Sequence, residues 1–284
     1  MAKKQSPIKP YLKWAGGKRQ LLPEIRKYLP PNIHTLTYYE PFVGAGAVFF
    51  DVQPSKAVIN DCNTELIMTY HVIRDYIEEL ITALQAHQKK NTKAYYYEVR
   101  AQDRDSVGYS GLGEVEKAAR LIFINKTCYN GLYRVNAQGL FNVPYGKYPN
   151  PAICEEPVLR AVHQYLSSNA ITMTNGDFED AVKVVKSKAF VYFDPPYHSP
   201  DKTNFTGYHA GGFDETEQVR LRDTVMRLTK RSTLCLLSNS DTPFIRNLYQ
   251  DRCFEIIPVV AKRAINSNAD GRGRVNEVLI KNWK

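Results

Sequence analysis

Dense apolar, β-prone runs recur along the chain at 36–42, 57–60, 171–174, 189–193 and 234–237, and several are followed by segments with helical spacing of apolar positions. The first run leads into a glycine turn at Gly44 and Gly46 and then a helix start at 47–52. The second ends at Asp61, after which Asn63 is placed to cap a helix running through Leu66, Tyr70 and Ile73 toward Leu84. An amphipathic helix is predicted over 215–228, and the runs at 254–261 and 275–281 read as a strand pair closing the sheet. Strands alternating with helices predict an α/β fold with a largely parallel sheet. Between about 85 and 160 this rhythm is lost: polar helical stretches give way to a Tyr, Asn, Gly and Pro-rich segment at 125–151 without clear periodicity. The pattern predicts a discontinuous core, 1–62 with 160–284, carrying an inserted module at 63–159.

At 284 residues, 43% apolar and 24% charged, the chain can bury a substantial core and is unlike a disordered protein. No apolar run approaches the roughly 18 residues of a membrane span, which points to a cytoplasmic protein without a membrane partner. Its five cysteines, Cys62, Cys128, Cys154, Cys235 and Cys253, form no C-x-x-C pair and have no zinc-type spacing, so no metal site is expected. The formal charge of +9 is unevenly placed. Residues 1–27 hold eight Lys/Arg against Glu24, and residues 262–284 hold six against Asp270 and Glu277, while the middle is nearly balanced. A fold that joins the two ends would present a basic face to a polyanion; two solvated tails are the alternative.

The sharpest chemical feature is Asp194-Pro195-Pro196-Tyr197, directly after the apolar run at 189–193. Prolines can simply end a strand, but ligands bind at the carboxyl ends of strands in α/β sheets. A carboxylate, a proline carbonyl and an aromatic ring suit a planar ring that carries an amino group: two acceptors for the amino hydrogens and one stacking face. Glu40-Pro41-Phe42-Val43-Gly44-Ala45-Gly46 offers a second ligand loop, although Phe49 stands where a dinucleotide site needs its third glycine. Lys13-Trp14-Ala15-Gly16-Gly17-Lys18 is not a P-loop, since Leu12 replaces the first glycine and Arg19 the magnesium-binding Ser/Thr.

These motifs, in this order, resemble the Dam-type, D12-class DNA adenine methyltransferases, and the similarity runs almost end to end. The resemblance implies a Rossmann-like S-adenosylmethionine-dependent methyltransferase sheet with a smaller, mostly helical, inserted DNA-recognition domain. It implies cofactor contacts from Trp14, Lys18, Glu40, Phe42, Gly44, Gly46, Asp61, Asp177, Phe178 and Asp194, with Asp61 taking the ribose hydroxyls and Asn175-Gly176-Asp177-Phe178 the adenine. Asp194, Pro195, Pro196 and Tyr197 would hold the target base, flipped out of the duplex.

The segment Tyr129-Asn130-Gly131-Leu132-Tyr133-Arg134, followed by Phe141-Asn142-Val143-Pro144, resembles the hairpin with which GATC-specific relatives grip double-stranded DNA. Arg134 would then read a guanine, Leu132 and Pro144 would touch base edges, and Tyr129 and Asn130 would enter near the vacated base position. Lys13, Lys262, Arg263, Arg272 and Arg274 would add DNA contacts. The resemblance also raises a cognate restriction endonuclease as a functional partner. Cys62 and Cys128 border the motifs and are read as packing residues, and no Pro-Cys nucleophile of the cytosine-carbon enzymes is present. A silent DNA-binding relative, an adenine methyltransferase of different sequence specificity, a methyltransferase for RNA or a protein amide, and a nicotinamide oxidoreductase remain as alternatives.

Overall fold

Seven strands form one sheet in the computed structural model, which describes residues 8–14, 16–185, 188–200, 212–262 and 274–284, with backbone alone at 260–262 and 274–276. They are β1 (Thr37–Glu40), β2 (Lys56–Asp61), β3 (Ala170–Asn175), β4 (Ala189–Phe193), β5 (Leu234–Ser240), β6 (Glu255–Lys262) and β7 (Arg274–Lys281). Their order is β3-β2-β1-β4-β5-β7-β6. The first five are parallel, whereas β7 pairs antiparallel with both β5 and β6. The strand pair expected at the end of the chain is therefore present, and it extends the sheet beyond β5. This is a Rossmann-like sheet in an α/β fold.

Helices cover both faces. They are α1 (Leu22–Lys27), α2 (Ala47–Val52), α3 (Thr64–Asp75), α4 (Ile77–Lys90), α5 (Lys93–Ala101), α6 (Ser106–Gly111), α7 (Glu114–Thr127), α8 (Glu156–Ser168), α9 (Phe178–Lys183), α10 (Glu215–Lys230) and α11 (Pro243–Leu248). Strand alternation divides the apolar side chains between two cores. In β4, Phe190 and Tyr192 enter the larger core with α3, α4, α7 and α8, while Ala189, Val191 and Phe193 enter the smaller one with α9, α10 and α11. All five are buried, as a central parallel strand requires.

Everything between β2 and β3, neighbouring strands in the sheet, belongs to one long connection holding α3 to α8. Asn63 caps α3 as the sequence predicts, its side-chain oxygen accepting from Leu66 N–H at 2.9 Å. The predicted single helix from there toward Leu84 is two helices, broken at Tyr76, whose φ of −135° is not helical. α3 lies on β2, β3, α7 and α8, and past the break α4 continues on α7 and α8. Cys128 is buried as expected; Cys62 is exposed and does not serve packing.

Candidate active site

The chain runs from β1 outward to β3 on one side of the sheet, then returns to β4 beside β1 and proceeds to β5 on the other. Loops leaving the carboxyl ends of β1 and β4 must therefore diverge, which opens a crevice between them. Glu40 ends β1, and Asp194 directly follows β4.

Glu40 is 2% exposed and accepts from the Tyr38 hydroxyl at 2.5 Å. Burial, reinforced by the charge of Asp194, holds its carboxyl well above the usual range. In the turn that follows, Gly44 and Gly46 adopt φ of +50° and +73°. Asn60 stitches this turn to the one after β3: its amide donates to Pro41 O at 3.0 Å and to Gly176 O at 2.9 Å. Gly44 N–H donates to Asp61 Oδ2 at 3.0 Å, and the Tyr70 hydroxyl to Gly44 O at 3.0 Å. A Cβ on Gly46 would stand 2.7 Å from the Tyr70 hydroxyl and 2.9 Å from Phe50 Cε2. Gly46→Ala is expected to cost the fold at least about 1–2 kcal/mol from the left-handed backbone alone. Urea denaturation would show it as a lower midpoint, and an unchanged midpoint would contradict the close approach.

Lys18, 6% exposed, brings the Lys13 to Lys18 loop to the β4 corner. Its ammonium lies 2.7 Å from Asp194 Oδ1, donates to Gly16 O at 2.6 Å and sits 4.6 Å from the centre of the Tyr197 ring. Burial pushes the Asp194 carboxyl up to about 6, against the opposing pull of Lys18; the negative charge of Glu277 adds to the rise. The Tyr197 hydroxyl donates to Glu277 Oε2 at 2.8 Å. Pro196 O accepts from the fully buried Gln218 amide at 2.9 Å, and Gln218 Oε1 in turn accepts from Asn239 at 3.0 Å. Among the described residues nothing donates to Pro195 O. The corner is thus held by β5, β7 and α10.

Asp177 caps α9, accepting from Glu179 N–H at 2.9 Å, and forms a two-pronged ion pair with Arg220 at 2.9 and 2.7 Å. Arg220 also covers the Phe178 ring at 4.3 Å, and Phe178 stacks on Phe42 with centroids 5.2 Å apart. The hydrogen bonds from Arg220 and the Glu179 backbone hold the Asp177 carboxyl below its ordinary value despite burial. Trp14 rests against the glycine turn: a Cβ on Gly44 would be 2.9 Å from its Cδ1. The structure therefore gathers Trp14, Lys18, Glu40, Gly44, Gly46, Asp61, Asp194 and Tyr197 around the ends of β1, β2 and β4, with Phe42, Asp177 and Phe178 in an adjoining aromatic group.

Of the predicted DNA-facing residues, Tyr129, Asn130, Leu132, Arg134 and Pro144 lie on the connection between β2 and β3. After α7, Tyr129 N–H donates to Pro144 O at 2.8 Å and Asn142 N–H to Arg134 O at 3.0 Å, so 129–144 folds back on itself. Tyr129, Arg134 and Pro144 are exposed, Leu132 is partly buried, and Asn130 has a φ of +55°. The Arg134 guanidinium is braced by Asn142 Oδ1 at 2.7 Å. The backbones of Lys262 and Arg274 face each other across β6 and β7, whereas Arg263 and Arg272 lie outside the described residues, as do the side chains of Lys262 and Arg274.

Residues 14–265 match the family of D12 class N6 adenine-specific DNA methyltransferases. The chain belongs to that family. This D12 methyltransferase is 42% identical over 284 residues to the type II methyltransferase M1.LlaDCHI of Lactococcus lactis subsp. cremoris, covering 100% of this chain and 98% of the relative. It is 41% identical to the type II methyltransferase M.MjaIII of Methanocaldococcus jannaschii, covering 97% and 99%. With the DNA adenine methylase of Escherichia coli K12 it shares 32% identity over 95% of this chain and 93% of that protein. It is an adenine-specific DNA methyltransferase and therefore acts on DNA. Among its described residues no helix is long and apolar enough to cross a membrane.

Sequence reasoning did not single out Asn60, Gln218, Arg220 or Glu277 in this methyltransferase. Gln218 and Arg220 lie within a helix whose amphipathic pattern accounts for them as surface residues. Asn60 and Glu277 left a faint signal, as a polar and an acidic residue within strand-like runs.

Proposed function

We propose that this methyltransferase transfers the methyl group of S-adenosylmethionine to the N6 amine of an adenine flipped out of duplex DNA, within GATC. The observation that carries the reading is the Lys18 to Asp194 contact of 2.7 Å, which joins the Trp14 loop on the glycine turn to the β4 corner at the crevice between β1 and β4. The residues present fit the cofactor. The two left-handed glycines let Trp14, Tyr70 and Phe50 close tightly on the turn and fix its shape, and the Asp61 carboxylate stands beside it to accept hydroxyl groups. Trp14, Lys18, Glu40, Phe42, Gly44, Gly46, Asp61, Asp177, Phe178 and Asp194 would hold it, and when bound it would supply an electrophilic methyl.

The adenine amine is a weak nucleophile because its lone pair is drawn into the ring. Asp194 and Pro195 O would accept its two hydrogens, which would turn the lone pair out of the ring plane, while the Tyr197 ring would stack on the base. Tyr197 is fixed for this by Glu277, and the loop by Gln218. As the nitrogen gains the methyl group it sheds a proton, which a carboxylate with a pKa of about 6 can take and pass to water. Residues 63–159 form the target-recognition module in this reading, with 1–62 and 160–284 the catalytic part. The type II names of two relatives favour a cognate restriction endonuclease as a functional partner.

Only ionised Asp194 offers both oxygens as acceptors. Because its pKa is raised to about 6, kcat/KM for the cofactor at saturating DNA is expected to fall as pH drops through about 6 and to be flat above it. Lys18 pulls that pKa down, so Lys18→Met should move the midpoint upward; a profile flat to pH 5 in both proteins would remove Asp194 as the group. Transfer of tritiated methyl groups from S-adenosylmethionine to unmethylated duplex DNA tests the whole reaction, and absence of label in DNA would refute it.

A further inference from the structure

Lys13 and Trp14 touch α7 and the recognition segment through three separate contacts. Asn125 of α7, fully buried, accepts from Lys13 N–H at 2.9 Å and returns its amide to Lys13 O at 2.8 Å and Gly131 O at 3.1 Å. The Lys13 stem lies on Gly131, where φ is +63° and a Cβ would come within 2.5 Å of it; the ammonium sits 4.6 Å over the Tyr148 ring. Tyr148 in turn accepts from Asn130 N–H at 3.0 Å. Finally, the Trp14 ring stacks on Tyr133, centroids 5.1 Å apart and planes 25° apart. The same Trp14 rests on Gly44, and Lys18 at the far end of the loop meets Asp194.

Tyr133 and Arg134 are adjacent and differ in exposure: Arg134 is exposed, Tyr133 is partly buried against Trp14. Any backbone shift that seats Arg134 on a base must therefore move the Tyr133 ring or be resisted by its stack. We infer that Tyr133 is a positioning residue that acts through Trp14, linking the base-reading segment to the cofactor turn so that docking on DNA and setting of the turn favour each other. The inference rests on the reading of the 44–46 turn as the cofactor site. Linkage then works in both directions: loosening the stack weakens the cofactor site even without DNA.

The test uses full-length protein carrying Trp283→Phe, which leaves Trp14 as the only tryptophan reporter. S-adenosylhomocysteine affinity is measured calorimetrically without DNA, and Trp14 emission is followed on adding unmethylated bacterial DNA fragments. Relative to this parent, Tyr133→Ala is expected to weaken S-adenosylhomocysteine about threefold to tenfold, the worth of one aromatic pair, and to abolish the emission change with DNA. Tyr133→Phe, which keeps the ring, should preserve both. Either quantity unchanged in Tyr133→Ala overturns the link. If Tyr133→Ala fails to fold by circular dichroism, Tyr133→Leu, which keeps the bulk, takes its place with the same two criteria. A parent that binds no S-adenosylhomocysteine refutes the cofactor reading instead, and the emission change on DNA alone then decides the link.

Discussion

Asp194→Ala is expected to lower methyl transfer by at least about 10²–10³-fold, the usual loss when a group aimed at the reacting centre is removed, while duplex DNA affinity stays within about threefold, far less than the loss of one phosphate contact network would cause. The carboxylate lies at the crevice braced by the buried Lys18, and alanine offers the amino group no acceptor in its place. Lys18 would lose its partner in the same variant, so a thermal melt belongs beside the assay. Asp194→Asn separates the effects: it keeps the shape and one acceptor oxygen but removes the charge facing Lys18. Full activity in Asp194→Ala would show that the base is held elsewhere. Equal losses of transfer and of DNA binding would make the residue structural.

Arg134→Ala is expected to relax discrimination at one guanine by about 1–3 kcal/mol, the worth of a two-pronged arginine contact. Binding to unrelated DNA should change far less. The geometry favours a base reader over a phosphate clamp, because Asn142 Oδ1 already fixes the guanidinium at 2.7 Å and so presents its remaining donors in a set direction. A loose surface arginine would have no such brace. Kinetics on duplexes altered one base pair at a time would show a selective loss at a single position. A uniform loss across all sequences, with a shallower salt dependence, would assign Arg134 to the backbone instead.

The parts of the fold that were legible in the sequence are those governed by local rules. The apolar run over 189–193 became β4 with the same limits, because a strand buried on both faces has no polar position to blur it. Gly44 and Gly46 marked a turn that requires positive φ, and Asn63 marked a helix cap. Tyr76 was not legible: apolar spacing continues across it, and the break shows only in the folded chain, where its φ of −135° ends α3. The motif residues of the candidate site could be named from order alone, but their supports could not. Glu277 reaches Tyr197 across 80 positions and Arg220 reaches Asp177 across 43, so neither contact has a local trace. Asn125 is a further case, a polar residue inside a buried helix face whose purpose appears only when the Lys13 loop folds against it.

The most direct test of the central claim is sequencing, by a method that reports methylated adenine in context, of methyl-free genomic DNA incubated with the purified protein and S-adenosylmethionine. The expected result is N6-methyladenine confined to the adenine of GATC on both strands. Methyladenine at a different fixed motif would contradict GATC alone; methylated cytosine, or no base modification with an active preparation, would contradict the site built around Asp194.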